Sequence, residues 1–140
     1  MRRDDIPTAV DNLRTNVVVL ACAVSAGIHG ALTPDHFREN TGAGAGFLVA
    51  TLLLAALAVT LTRRPTEAAF GATAVVLVGL LASYVLAVTT GLPLLHPERE
   101  QVEGLALFTK AVEAAGLTLS AGGLHRLLDL RLPDTKGSTA

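Results

Sequence analysis

Four long apolar blocks constrain the fold of this 140-residue chain more than any other feature. They cover residues 17–34, 43–62, 68–92 and 104–124. Each block equals or approaches the roughly 20 mostly apolar residues that a helix needs to cross the about 30 Å hydrocarbon core of a bilayer. Hydrophobic residues make up 51% of the chain and charged residues only 16%, a balance that soluble domains of this size rarely have. The sequence therefore predicts four membrane-spanning segments.

The apolar blocks favour helices over the strands of a membrane barrel. Residues 47–61, FLVATLLLAALAVTL, are apolar on every face, whereas barrel strands alternate apolar and polar residues over about ten positions. The connections at 35–42, 62–67 and 93–103 are short, so consecutive helices should lie antiparallel. We expect an all-α fold, a single transmembrane domain built as a four-helix up-and-down bundle, with a flexible tail at 133–140.

The distribution of basic residues predicts the orientation in the membrane. The net charge of −1 gives no sign of a nucleic-acid partner. By the positive-inside rule we expect both termini and residues 62–67 to be cytoplasmic, and residues 35–42 and 93–103 to face outward. The sequence thus predicts a multi-pass protein of the cell membrane that contacts the lipid bilayer and binds no nucleic acid. The basic residues that decide the orientation are Arg2, Arg3, Arg14, Arg63, Arg64, Arg126, Arg131 and Lys136.

Histidines and carboxylates gather on the predicted outer side. His29 lies near the outer end of the first span, His36 and Glu39 lie in the first outer connection, and His96 lies in the second. Imidazole and carboxylate are suitable ligands for zinc, copper or iron, so these four residues form a candidate site for a divalent metal or copper. The alternative is ordinary solvated connections, because no spacing here matches a zinc or haem signature.

His29 stands apart from the other histidines because it lies inside a span. It shares a helical stripe with Ser25, and a polar ring within a span is expected to face the bundle interior. Further along, Thr33 is a candidate cap for a separate short helix, on which His36 and Glu39 would share one face.

The fourth block carries ionisable residues at a depth where charge is costly. Glu103, Lys110 and Glu113 are spaced to share one helical face, and Lys110 can pair directly with Glu113. A charged side chain near the bilayer centre costs at least about 2.5 kcal/mol unless it is paired or hydrated. These three residues are candidates for acid–base catalysis, proton transfer or headgroup binding; a structural ion pair that fixes helix register is the alternative. Candidate hydrogen-bond partners for this stripe are Ser83, Tyr84, Thr89 and Thr90.

Two segments carry a resemblance to known proteins. GIHGALTPDHFREN at 27–40 and TTGLPLLHPEREQVEGLALFTKAVEAAGL at 89–117 resemble a set of uncharacterised small four-span integral membrane proteins of GC-rich bacteria. The resemblance covers most of the chain and implies a topology and a bacterial membrane, without implying an activity. The chain is also similar in size and span count to the small multidrug resistance family, whose pattern includes a carboxylate in the first span, where residues 17–34 have none.

Three functions remain open on these grounds. The first is a non-enzymatic membrane protein that binds an ion, a small ligand or a partner subunit through the outward cluster and the stripe of Lys110 and Glu113. The second is a small membrane enzyme that acts on a lipid-soluble substrate, with Glu113 or Glu103 as acid or base and His29 or His36 assisting. The third is a proton-coupled transporter that works as a dimer. A homo-oligomer or a partner in a membrane complex is expected.

Overall fold

The computed structural model describes residues 9–91 and 103–129, with side chains described as far as residue 125. These residues form four helices and no strand, which confirms the all-α class. The predicted tail at 133–140 lies outside the described residues. The helices are α1 (Ala9–Glu39), α2 (Thr41–Arg63), α3 (Glu67–Thr89) and α4 (Gly104–Asp129).

Neighbouring helices run antiparallel around the bundle. α1 packs against α2 and α4, and α3 packs against α4 and, less extensively, against α2. Arg14, near the start of α1, donates to the carbonyl of Gly122 near the end of α4, and Ser25, farther along α1, bonds to Glu113, earlier in α4. We call the end with the α1–α2 turn the Asn40 end, and the end with the α2–α3 turn the Pro65 end.

The α1–α2 turn is the single residue Asn40, so most of the connection expected at 35–42 is helical. Asn40 both ends α1 and caps α2, because its Oδ1 accepts hydrogen bonds from the backbone N–H groups of Gly42 at 2.7 Å and Ala43 at 3.2 Å. The corner is also closely packed, since a Cβ atom at Gly44 would overlap the ring and backbone of Phe37. A small residue at this position lets the two helices meet directly after the turn.

Pro34 does not end α1, although the first span was expected to stop there. A proline removes one backbone hydrogen bond from a helix, and polar side chains add bonds on both sides of it. Thr33 Oγ1 donates to the carbonyl oxygen of His29 at 2.7 Å, and His36 Nδ1 lies 2.9 Å from that of Leu32. Thr33 is therefore not a helix cap, contrary to the prediction, and His36 lies on the same continuous helix as His29.

α3 ends three residues before the predicted boundary at residue 92. The backbone N–H of Thr90 closes the last turn by donating to the carbonyl of Leu86. Gly91 then adopts a φ of 74°, the left-handed conformation in which glycine commonly terminates helices. The glycine, rather than the end of the apolar run, decides where the helix stops.

The bundle has an apolar outer surface and a partly polar interior. In water this pattern would be unfavourable, because large apolar patches would face solvent while polar groups would be desolvated. In a bilayer it is expected, because lipid contacts the apolar side chains and polar residues turn inward. The exposed apolar side chains include Leu20, Leu48, Val49, Leu52, Val75, Val78, Val85, Leu107 and Phe108, and the buried polar residues in the described part of the chain are Ser25, His29, Thr73, Thr109, Glu113 and Ser120.

Three helices, α1, α2 and α3, are long and apolar enough to cross a membrane. Within the described residues α4 does not meet the same criteria, because Lys110 and Glu113 lower the hydropathy of its apolar run. The structure therefore supports a membrane protein on the strength of three helices, and the fourth span needs a separate argument.

The interior near the Pro65 end is closely packed. Leu61 of α2, Phe70 and Leu77 of α3 and Val18 of α1 are at most 4% exposed and belong to one apolar cluster. Gly116 brings α4 against this cluster, since a Cβ atom there would lie 3.0 Å from Ala21 Cβ and 3.2 Å from a methyl carbon of Leu77. This half of the bundle is a filled core.

Candidate functional site

The half of the bundle toward the Asn40 end contains a cavity of about 480 Å³ to which all four helices contribute. Small-molecule sites typically have volumes of about 300–1,000 Å³, with mostly apolar walls and a few polar groups. The cavity has a volume in this range and a lining of this kind. Its apolar walls include Ile28, Leu32, Phe47, Ala50, Leu80 and Leu105, and its polar lining includes His29, Asp35, His36, Glu39, Ser83, Tyr84, Glu103 and Lys110.

An ion pair lies at the inner end of the cavity. Lys110 Nζ lies 2.7 Å from Glu113 Oε2, which confirms the pairing predicted from their three-residue spacing. The Lys110 side chain is 16% exposed and lines the cavity, whereas Glu113 is completely buried behind it. The cavity therefore contacts the ammonium group, and the carboxylate compensates its charge from the protein side.

The second oxygen of Glu113 is held by α1. Ser25 Oγ donates to Glu113 Oε1 at 2.7 Å, and His29 Nε2 lies 3.9 Å from the same oxygen. Ser25 lies eleven residues after Arg14 and eleven before His36, which is about 16 Å of helix in each direction. The buried carboxylate is thus placed near the middle of the bundle, with partners on both of its oxygens.

His29 has a defined tautomer when it is neutral. Its Nδ1 lies 2.9 Å from the backbone carbonyl oxygen of Ser25, and because a carbonyl can only accept, Nδ1 carries the proton. Nε2 then holds the lone pair. The ring centre of Phe47 lies 5.2 Å from that of His29 and 3.7 Å from that of His36, so the three rings form one face of the cavity.

Tyr84 does not form the hydrogen bond that was expected between its hydroxyl and the stripe of Lys110 and Glu113. Its hydroxyl is buried and has no hydrogen-bond partner among the residues that the structure describes, and an unpaired buried hydroxyl is costly. Lys110 Nζ lies 5.6 Å from the centre of the Tyr84 ring, within cation–π distance. The other three candidate partners bond instead to carbonyls of their own helix; these are Ser83, Thr89 and Thr90.

The predicted metal ligands are only partly brought together. His29, His36 and Glu39 line the same cavity, while His96 lies outside the described residues. Within the described part of the chain, no three His, Cys, Asp or Glu side chains are placed to hold a metal ion. The metal site therefore stays a prediction.

The three candidate catalytic residues occupy different positions relative to the cavity. Glu103, exposed just before α4, lines it near the Asn40 end, Lys110 lines its inner end, and Glu113 lies behind Lys110. The contact between Ser25 and Glu113 was not predicted. The signal that could have found it is that both are polar residues near mid-depth on helices expected to face each other.

Comparison with known proteins leaves the cavity to be interpreted from its own chemistry. The expected relation to small four-span bacterial membrane proteins stays a prediction, and so does any relation to the small multidrug resistance family. No protein-family model, curated protein or solved structure matches the chain.

Proposed function

We propose that this chain is a four-span integral membrane protein that binds a small molecule in the cavity near the Asn40 end, with Lys110 and Tyr84 as its polar contacts. The observation that carries the proposal is a ligand-sized cavity lined by Lys110 and Tyr84, together with the Tyr84 hydroxyl, which is buried and has no partner among the described residues. A ligand that accepts a hydrogen bond there would remove the cost of that unpaired group.

The position of α4 supports a fourth span. α4 packs between α1 and α3, both of which are long and apolar enough to cross a membrane. Its charged residue Glu113 faces the interior, while Leu107 and Phe108 face outward. Composition alone underestimates the ability of such a helix to span a membrane, because intramembrane charges that face the bundle interior are not exposed to lipid.

The arginines near the Pro65 end support an orientation with that end in the cytoplasm. Arg63 ends α2 and Arg64 begins the α2–α3 turn, and basic residues favour the cytoplasmic side. The cavity would then lie in the outer half of the membrane. Cysteine labelling tests this, because the one native cysteine, Cys22, is completely buried. In intact cells an impermeant thiol reagent should label Thr41→Cys but not Pro65→Cys; the reverse pattern contradicts the orientation.

The closed interior near the Pro65 end favours binding over transport. From Glu113 toward that end the interior is filled mainly by apolar side chains such as Leu77, Phe70 and Leu61, and the hydroxyls of the buried Thr73 and Ser120 bond to carbonyls of their own helices. A proton or ion path through one copy would have to cross this region. Enzymatic acid–base chemistry is less favoured because Glu113 is completely buried and both of its oxygens are engaged.

Native mass spectrometry of protein purified in mild detergent tests the proposed binding. The wild type should retain a small molecule, and Tyr84→Phe should retain less of it, because the variant keeps the ring and removes the hydroxyl. Thr118→Val is a matched control that removes a hydroxyl from an exposed position on α4 and should retain the wild-type amount. Protein that carries no small molecule, even after incubation with membrane lipid extract, contradicts the proposal; elemental analysis of the same sample tests the metal prediction.

A further inference from the structure

The charge of the cavity favours an uncharged ligand. The ammonium of Lys110 is already compensated by Glu113 at 2.7 Å, which leaves no excess positive charge to hold an anion. The lining near the Asn40 end adds the carboxylates of Asp35, Glu39 and Glu103, which repel anions. A cation is not matched at the inner end either, because Lys110 presents only N–H donors to the cavity and Glu113 is completely buried behind it. Neither kind of ion is matched by the whole lining.

The inner end of the cavity offers mainly hydrogen-bond donors. The Lys110 ammonium has three N–H groups, and Glu113 takes one of them. The Tyr84 hydroxyl adds another donor, which has no partner within the described part of the chain. A ligand that satisfies both residues must present an acceptor oxygen, and a carbonyl oxygen has two lone pairs for that purpose.

Exposed residues of α2 and α3 line the cavity on the side where these two helices are neighbours. α2 and α3 pack less extensively than the other neighbouring helices, and residues from both of them line the cavity. Gly46 of α2 and Ser83 of α3 are exposed and line the cavity. A Cβ atom at Gly46 would meet no described atom within 4 Å, so an alkyl chain has room beside it.

We infer that the ligand is an uncharged, lipid-soluble molecule with a carbonyl head group, which enters from the membrane between α2 and α3. The carbonyl oxygen accepts a hydrogen bond from Lys110 Nζ and a second from Tyr84 Oη, which has to turn toward the cavity because it is buried in the structure. The apolar remainder lies against Phe47 and Leu80. This inference rests on the proposed function, because it names the class of molecule that the same cavity binds.

The chain contains its own reporter for this site. It has one tyrosine, Tyr84, and no tryptophan, so the ultraviolet fluorescence of the protein comes from Tyr84. Four probes of similar length separate the ligand classes: 2-undecanone as the carbonyl, undecane as its headless analogue, decanoate as the anion and decyltrimethylammonium as the cation. Each is titrated into protein in lipid nanodiscs, and the change in Tyr84 fluorescence is measured.

The ketone should change the fluorescence saturably, at a concentration at least about tenfold below that of any other probe, as expected for one good hydrogen bond. Gly46→Leu, which narrows the gap between α2 and α3, should weaken this response. The double variant Lys110→Met with Glu113→Leu, checked for assembly by size-exclusion chromatography, should reduce the preference for the ketone over undecane, because it removes the N–H donors of Lys110. Thr118→Val should respond as the wild type.

The outcomes separate the two proposals. A preference for decanoate or decyltrimethylammonium, or equal responses to ketone and undecane, overturns the ligand class while leaving binding in the cavity intact. A wild-type response that Gly46→Leu does not weaken overturns the route between α2 and α3. The absence of a saturable response to any of the four probes overturns the proposed function together with the inference.

Discussion

The two halves of the bundle use the same four helices in different ways. Toward the Pro65 end, Leu61, Phe70 and Leu77 fill the interior, and Gly116 brings α4 within van der Waals contact of α1 and α3. Toward the Asn40 end, the same helices line an open cavity and hold Lys110 at its inner end. The comparison indicates that packing near the Pro65 end stabilises the bundle, which allows the other half to remain incompletely packed.

The largest effect is expected for Lys110, which lies at the boundary between the two halves and compensates the charge of the buried Glu113 carboxylate. Lys110→Met leaves Glu113 buried without its cation, and removing one partner of a buried pair costs about 3–5 kcal/mol. The free energy of unfolding, measured by titrating detergent-solubilised protein with SDS, should fall by about this amount.

The matched control for Lys110→Met removes both charges. Lys110→Met with Glu113→Leu should recover most of the lost stability, because replacing a buried pair by apolar residues is often neutral. If Lys110→Met is as stable as the wild type, the ion pair of Lys110 and Glu113 does not stabilise the boundary between the two halves.

The next effect compares two leucines of α3 on either side of that boundary. Leu77 is completely buried in the packed half, so Leu77→Ala should cost about 2–5 kcal/mol through lost contacts and a new cavity. Leu80 lines the existing cavity, so Leu80→Ala should cost clearly less in the same unfolding titration. Equal costs would mean that the two halves are packed alike.

Two glycines provide a smaller test of the same contrast. Gly116→Val should destabilise the protein by about 1–3 kcal/mol, the usual cost of overpacking, because its Cβ would lie 3.0 Å from Ala21 Cβ. Gly46→Val should leave the thermal midpoint nearly unchanged, since a Cβ there meets no described atom within 4 Å. A larger loss in Gly46→Val than in Gly116→Val contradicts the proposed division.

The smallest expected effect concerns the contact between α1 and the buried carboxylate. Ser25→Ala removes the 2.7 Å hydrogen bond to Glu113 and should cost about 0.6–1.7 kcal/mol, which runs from the average to the largest value typical of hydrogen bonds between membrane helices. Thr118→Val serves as the control, because its hydroxyl bonds only within α4 in the described structure. A loss in Ser25→Ala as large as that in Lys110→Met would mean that the serine, rather than the lysine, holds the carboxylate.

The helical fold could be predicted because apolar run length carries the signal directly. Residues 47–61 are apolar on every face, and α2 spans them as expected. The pair of Lys110 and Glu113 was equally predictable, since a three-residue spacing on a helix brings side chains together whatever surrounds them.

Helix ends and contacts between helices were less predictable. Pro34 and the polar residues after it indicated a loop, but α1 continues to Glu39, where Asn40 begins the next helix. The cavity and the unpaired Tyr84 hydroxyl depend on how α2 and α3 separate, which the pattern of a single sequence does not encode. Likewise, Ser25 meets Glu113 only because of the vertical alignment of α1 and α4.

The single-residue turn at Asn40 fixes the rotational phase of α2 relative to α1. Each residue added to a helix turns it by about 100°, so one extra residue in this corner would swing the inward face of α2 away from the interior. Phe47 would leave the ring of His36, and the cavity would lose that wall. The length of this corner therefore sets which residues of α2 a ligand meets, without any of the corner's own atoms touching it.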